Sequence, residues 1–262
     1  MIDRYANKRQ AEIWSTENQL TEWQNSELAA IFARAQAGQV VWEDYLEVKR
    51  ILESNHFDIS RWLEIEAELH HDLQAFVEER REYLPERVEA LLHFLLTSYD
   101  TEEPAFVRRL SAAVRVVMDL LSKLESLLKK MARQYQHCPM NLRSHGQEGE
   151  VGTFGKRILG WLAPLQVSIV QLQNAAKWLV YSKMSGAMGN YGGLSPELER
   201  AALAFLDLKP FPGATQIMPR TLYLPTAEAL CAVMENVAQI AMDIRLASRS
   251  GLPLMREFFA KL

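Results

Sequence analysis

Several kinds of residue and run are scarce in this chain, and each scarcity narrows the possibilities. Only two cysteines occur, Cys138 and Cys231, far apart and without a CxxC spacing. That excludes a disulfide framework and a zinc knuckle, and fits reduced thiols in a cytosolic protein. Twelve glycines and ten prolines in 262 residues are too few for a β-sandwich or barrel, which needs a turn signal every few residues. There is no clean apolar run of membrane length. The most apolar long stretch, 158–180, is interrupted by Gln166, Gln171, Gln173, Asn174 and Lys177. The opening MIDRYANKRQ lacks the apolar centre of a secretion signal. No excess of positive charge exists either: the net charge is −4, so nothing draws the whole chain to nucleic acid or anionic lipid. HExxH and other metal-ligand spacings are absent, and no metal or cofactor is expected.

What is present is helical period. From 102 to 136, Leu110, Val114, Val117, Leu121, Leu124, Leu128 and Met131 alternate steps of four and three, the seam of a bundle helix. Pro104 falls in its expected first turn. A second long helix is expected over 153–182, with Leu162, Leu165, Ile169, Leu172, Ala176 and Leu179 on one stripe. A third is expected over 227–248, with Leu230, Met234, Val237, Ala241, Ile244 and Ala247. Shorter helices are expected at 16–37, 42–54, 59–83 and 85–96. The fold class is mainly α: a helical N-terminal domain over 1–98 and a long-helix bundle over 99–262. Stripes of this length call for packing on one another and on other subunits.

Taken singly, the polar candidates have ordinary explanations. His70, His71 and Asp72 read as mid-helix, where neighbours point about 100° apart and chelate poorly. Thr97, Ser98 and Asp100 in TSYD suit a helix N-cap. RSHGQ (143–147) reads as a turn between two long helices, with His145 a solvated loop residue. Arg4 and Tyr5 read as a terminus.

Their order carries more than any one of them. MIDRYANKRQAEIWSTENQL resembles the opening of adenylosuccinate lyases, with an Arg-Tyr pair and an Ile-Trp-Ser/Thr run before Glu-Asn. LHHDLQAFVEE (69–79) resembles that family's Arg-His-Asp-Val-x-Ala-Phe helix, with His70 in place of the arginine. HFLLTSYD (93–100) is similar to His-Phe-Gly-Leu-Thr-Ser-Ser-Asp, and RSHGQEGEVGTFGK (143–156) to Arg-Thr-His-Gly-Gln followed by a Thr-x-Phe-Gly helix start. SGAMGNY (185–191) and ATQIMPR (214–220) resemble Ser-Gly-Ala-Val-Gly-Thr-Tyr and Ser-Thr-Gln-Val-Ile-Pro-Arg. The six segments occur in family order across the chain.

The resemblance implies the fumarase/aspartase superfamily fold and a homotetramer. It implies β-elimination of fumarate from adenylosuccinate or the related succinyl-carboxamide ribotide of purine synthesis, in the cytoplasm. Carried over by position, His145 is the general acid, and His71 would line the pocket near the phosphate or the succinyl group. His71 is also the first candidate for a substitute catalytic base, should the isolated chain turn over rapidly. Arg4 and Tyr5 would hold the nucleotide phosphate; Thr97 and Ser98 would bind a succinyl carboxylate; Asp72 and Gln216 would line the pocket. The ligand implied is a purine nucleotide or dicarboxylate, without nucleic acid or membrane as partner. Leu95 and Leu142 stand where the family carries glycine, and Tyr99 where it carries a small serine.

SRSGLPLMREFFAKL (248–262) is similar to the lead-in to the family's signature loop, which carries the serine base. That loop has no counterpart within these 262 residues, so the isolated chain is expected to release little or no fumarate. The alternatives are an inactive relative with a nucleotide-binding or regulatory role, and one part of a split lyase completed by a C-terminal polypeptide.

Overall fold

The computed structural model describes residues 3–250 and 254–256. The lead-in segment noted above therefore lies largely outside the described residues. After a 3-10 turn at Asp3–Tyr5 come α1 (Lys8–Ile13), α2 (Thr16–Gln36), α3 (Trp42–Ser54), α4 (Ile59–Leu69), α5 (Asp72–Arg81) and α6 (Glu86–Glu89). The long α7 (Ser98–Gln134) leads into β1 (Pro139–Ser144) and β2 (Gln147–Thr153), then α8 (Phe154–Ala176). Next are β3 (Tyr181–Ser182), α9 (Pro196–Phe205), β4 (Lys209–Pro210) and α10 (Leu224–Ala247). The fold is mainly α.

Two compact units emerge. The first joins residues 1–116 with 178–222, and the second joins 117–177 with 223–262. Compactness thus divides the chain inside α7, further along than the helix start at Ser98.

In the first unit α2 packs on both α3 and α9, so it is covered on more than one side, and even its Gln24, Ser26, Glu27 and Arg34 are buried. Leu20, Trp23, Leu28 and Ile31 of α2 meet Tyr45, Val48, Leu52, Phe76 and Val88 in one apolar cluster. Ser15 caps α2 by accepting the Asn18 amide.

The expected helix over 59–83 is two helices. His70 closes α4 in the left-handed region (φ +52°), and the His71 side chain caps α5 by accepting the Gln74 amide. The histidine pair is therefore a helix break, because side-chain capping competes with helix continuation at this position. The expected helix over 85–96 shrinks to α6 and a run of turns, with His93 (φ +60°) and Leu95 (φ +54°) left-handed. In compensation α7 starts four residues earlier than its period suggested, which places Pro104 in the second turn.

The second unit holds the end of α7, the β1–β2 hairpin, α8 and α10. Leu162, Leu165, Ile169 and Leu172 of α8 are buried, as the stripe required. On α10 the stripe is a different one. Thr226, Ala229, Val233 and Ile240 are buried, whereas Met234, Val237 and Ile244 are exposed. A helix apolar nearly all round offers two seams of equal period, and period alone cannot choose between them. Trp161 Nε1 donates to Asp243 at 2.6 Å and Asn236 Nδ2 to Ser168 Oγ at 2.7 Å, tying α8 to α10 with polar contacts. Among the described residues no helix is long and apolar enough to cross a membrane.

Candidate active site

The start of α7 gathers several of the expected residues in the first unit. Thr97 is the N-cap, and Asp100 three residues on reaches back: its Oδ2 accepts the Thr97 amide at 3.0 Å. Its Oδ1 accepts the Gly186 amide at 3.1 Å and pairs with Lys183 Nζ at 2.7 Å. Both side chains of that pair are fully buried. Lys183 Nζ also donates to the main-chain oxygens of Gly186 and Gln216, each at 2.9 Å. One ion pair thus draws together the TSYD cap, the SGAMGNY loop and the backbone of Gln216. Every polar bond of the ammonium is used, which is what makes a buried charge tolerable.

Below the cap lies a second anchor. Glu27, on α2 and fully buried, accepts the His93 amide at 2.8 Å, His93 Nδ1 at 2.7 Å and Thr101 Oγ1 at 2.6 Å. Burial pulls the His93 pKa down, but the hydrogen bond to Glu27 and its charge outweigh burial and raise it above the ordinary histidine value. Arg34, also on α2, donates to the carbonyls of Gly193 (2.8 Å) and Phe94 (3.3 Å). A Cβ built on Gly193 would lie 1.8 Å from the Leu95 carbonyl oxygen, so only glycine admits this approach of two loops. Leu95 keeps a left-handed backbone even though it replaces the glycine of the resembled motif.

On this frame Ser98 Oγ lies 3.2 Å from His71 Nε2. His71 Nδ1 accepts the Gln74 amide at 3.3 Å, which leaves the ring proton on Nε2 and makes that nitrogen the donor to Ser98. The Ser98 hydroxyl hydrogen is then directed away from His71, toward any acceptor in front of the helix terminus. Serine donor and helix dipole both favour an anion there. His71 and Asp72 are exposed, and Thr97 and Ser98 half-buried. Tyr99 is half-buried beside the Arg220 guanidinium, 5.9 Å from its ring centre.

The remaining expected residues stand apart from this cluster. The Gln216 side chain is exposed, and only its backbone oxygen joins the Lys183 network. Arg4 and Tyr5 are exposed on the first turn, with the guanidinium 4.8 Å from the tyrosine ring centre. His145 belongs to the second unit. It is exposed at the tip of the β1–β2 hairpin, where it and Gly146 form a two-residue turn at φ +56° and +76°. Positive φ at both positions is the geometry that matches hairpin twist. The turn expected here is thus a β-turn closing a hairpin, and α8 begins just after it, capped by Thr153. Among the described residues no group of His, Cys, Asp or Glu is placed to hold a metal ion.

Lys183 and Glu27 were not singled out from the sequence, and Asp100 was read only as part of a helix cap. Asp100 sits inside TSYD and Lys183 two residues before SGAMG, so the motif edges were the available signal. Glu27 lies in a helix without any motif.

The sequence profile of the family described as Lyase matches residues 6–261. The chain belongs to this lyase family. It is 31% identical over 261 residues to adenylosuccinate lyase of Thermotoga maritima, and 32% identical over 261 residues to that of Streptococcus mutans. Each alignment covers 100% of this chain and 60% of the relative, so the chain spans 60% of the length of these lyases. Among solved structures, fumarate lyase from Mesorhizobium sp. BNC1 superposes with a TM-score of 0.87 at 20% identity, over 95% of this chain and 59% of that one. The 3-carboxy-cis,cis-muconate lactonizing enzyme of Pseudomonas putida gives the same TM-score at 22% identity, over 95% of this chain and 58% of that one. At those identities the likeness speaks for the fold, which is that of the fumarase/aspartase lyases.

Proposed function

We propose that this lyase-family chain contributes the carboxylate pocket and the general acid of an enzyme that eliminates fumarate from adenylosuccinate or a related succinyl nucleotide. The observation that carries the reading is the Ser98–His71 contact at the N-terminus of α7. It supplies a hydroxyl donor in a site whose dipole favours a carboxylate. Thr97 stands beside it. In the elimination a base removes the proton next to a succinyl carboxylate, and donors on that carboxylate stabilise the charge that develops. His145 is assigned the protonation of the departing nitrogen, general-acid work that an imidazole can do. Arg4 and Tyr5 are assigned the phosphate, by a charge-assisted contact. Asp72 and Gln216 are assigned to the pocket wall. The base is not assigned within these 262 residues. The exposed Met234, Val237 and Ile244 of α10 fit the homo-oligomer that the reading carries with it.

The test is fumarate release followed by absorbance, with the chain alone and with a polypeptide carrying the family's signature loop. Turnover that His145→Ala lowers by roughly 10²–10⁴ supports the assignment. Turnover indifferent to both His145→Ala and Ser98→Ala removes it. A chain that neither turns over nor binds fumarate has the fold without the function.

A further inference from the structure

Glu102 is a carboxyl that neither the capping network nor the assigned roles employ. It lies four residues after Ser98 on α7, hence on the same helix face, with Cβ atoms about 5–6 Å apart in a regular helix. Ser98 is bonded to His71, and the Asp72 charge acts on Glu102, so a second carboxylate already stands near this face. Glu103, the next residue, is bound by the Met218 amide at 3.2 Å and by Arg220 at 2.8 Å. Glu102 has no hydrogen-bond or ion-pair partner among the described residues, although it is half-buried.

We propose that Glu102 takes up a proton when a dicarboxylate binds against Ser98, so that the pocket's affinity for such ligands falls as the pH rises. The inference rests on the reading of Thr97 and Ser98 as carboxylate ligands. A ligand carboxylate would be the third negative charge on one face, beside Asp72 and Glu102. Like charges at short range cannot all remain ionised, and the group without a partner is the one that yields. Once protonated, Glu102 also gains a donor that it can turn toward the ligand. The groups acting on it are Asp72 from the start of α5, Glu103 on its own helix, Arg220 from the 3-10 turn after the TQIMP segment, and His93 below the cap. Burial first, then the charges of Asp72 and Glu103, hold the Glu102 pKa at about 7 against the opposing pull of Arg220 and His93. A modest further push by a ligand is therefore enough to fill it with a proton at neutral pH.

The experiment is titration calorimetry with fumarate and with succinate at pH 6, 7 and 8. Each titration is run in two buffers of different ionisation enthalpy, so that protons taken up on binding are counted. With a push of about one pKa unit, the wild-type chain should take up roughly half a proton at pH 8 and bind about fivefold more weakly there than at pH 6. Glu102→Gln, folded by circular dichroism, should lose most of the uptake and most of the pH dependence. Uptake undiminished in Glu102→Gln overturns the proposal. Binding that Ser98→Ala weakens, with that same undiminished uptake, overturns the role of Glu102 alone. Absence of binding at every pH, in wild type and variant, overturns the carboxylate pocket and the proposal together.

Discussion

Replacing Lys183 by methionine, which fills similar space without charge, should be among the most damaging changes in the first unit. The Lys183 ammonium is fully buried and makes three contacts: Asp100 at 2.7 Å and the carbonyls of Gly186 and Gln216 at 2.9 Å. Removing it strands Asp100, also fully buried, with only the amides of Thr97 and Gly186 as donors. Two carbonyl bonds, one of them buried, are lost at the same time. Breaking a buried ion pair from one side costs about 3–5 kcal/mol, because the surviving charge is left without its counter-ion. At roughly 2–4 °C per kcal/mol for a chain of this size, the midpoint of thermal unfolding should fall by about 6–20 °C. Urea unfolding gives the same quantity isothermally. The double variant Asp100→Asn/Lys183→Met removes both charges and keeps an acceptor for one amide, so it should be more stable than Lys183→Met by at least about 1 kcal/mol. A single variant that loses less than about 1 kcal/mol, or a double variant whose cost is the sum of the two singles, would refute the view that this pair joins the loops.

Gly193→Ala should destabilise by about 2–3 kcal/mol or more in urea unfolding, because the new Cβ meets backbone (1.8 Å from the Leu95 oxygen) rather than a yielding side chain. Gly160→Ala is the matched comparison: nothing lies within 4 Å of its Cβ in the middle of α8, and it should gain about 0.5–1 kcal/mol. Glu102→Gln should change stability in a pH-dependent way. Its folded pKa of about 7 is raised from an unfolded 4.5, so in the wild type the stabilisation is complete below pH 4.5 and is lost as the pH rises through 7. The variant should therefore match the wild type at pH 4.5 and exceed it at pH 8, by about 1–2 kcal/mol after allowance for solvent screening of a partly exposed group. Equal melting profiles across that range would show that Glu102 ionises at its ordinary pH.

The long helices were legible because a single buried stripe leaves a period, and α7 and α8 each leave one. α10 was legible as a helix but not in its facing, since Met234 and Val233 are equally apolar and only the packing decides between them. The break at His70 and His71 was hidden by a continuous helical pattern on both sides. What ends α4 there is a left-handed backbone and a ring nitrogen capping α5, neither of which has an apolar signature. The hairpin around His145 escaped notice for a similar reason: GEVGT does not alternate, and most of β1 and β2 is exposed. At the candidate site, Ser98 and His71 were found through motif order. Lys183 was not, because a lysine beside serine and methionine reads as an ordinary surface charge until the fold buries it.

TSYD admitted two explanations, a helix cap and a ligand site, and the structure gives reason to treat them as one device. A cap alone requires Thr97 and Asp100, joined by the Thr97 amide donating to the Asp100 carboxylate at 3.0 Å. It does not require that the second carboxylate oxygen meet a buried lysine from a segment more than eighty residues away. Nor does it require that His93 and Leu95 hold left-handed backbones at about 1–2 kcal/mol each for side-chain-bearing residues. These costs converge on one outcome: the turn before α7 is held from below by Glu27, from the side by Arg34 and Gly193, and from behind by Lys183. Held this way, Ser98 has a single place to stand relative to His71. Strain and buried charge gathered around a donor that is itself left half-open are the physical mark of a positioned group. That is why the pocket reading is tested at Ser98 and the scaffold reading at Lys183, and why the two substitutions should differ in kind. Ser98→Ala should remove ligand affinity with little change in melting temperature, whereas Lys183→Met should lower both.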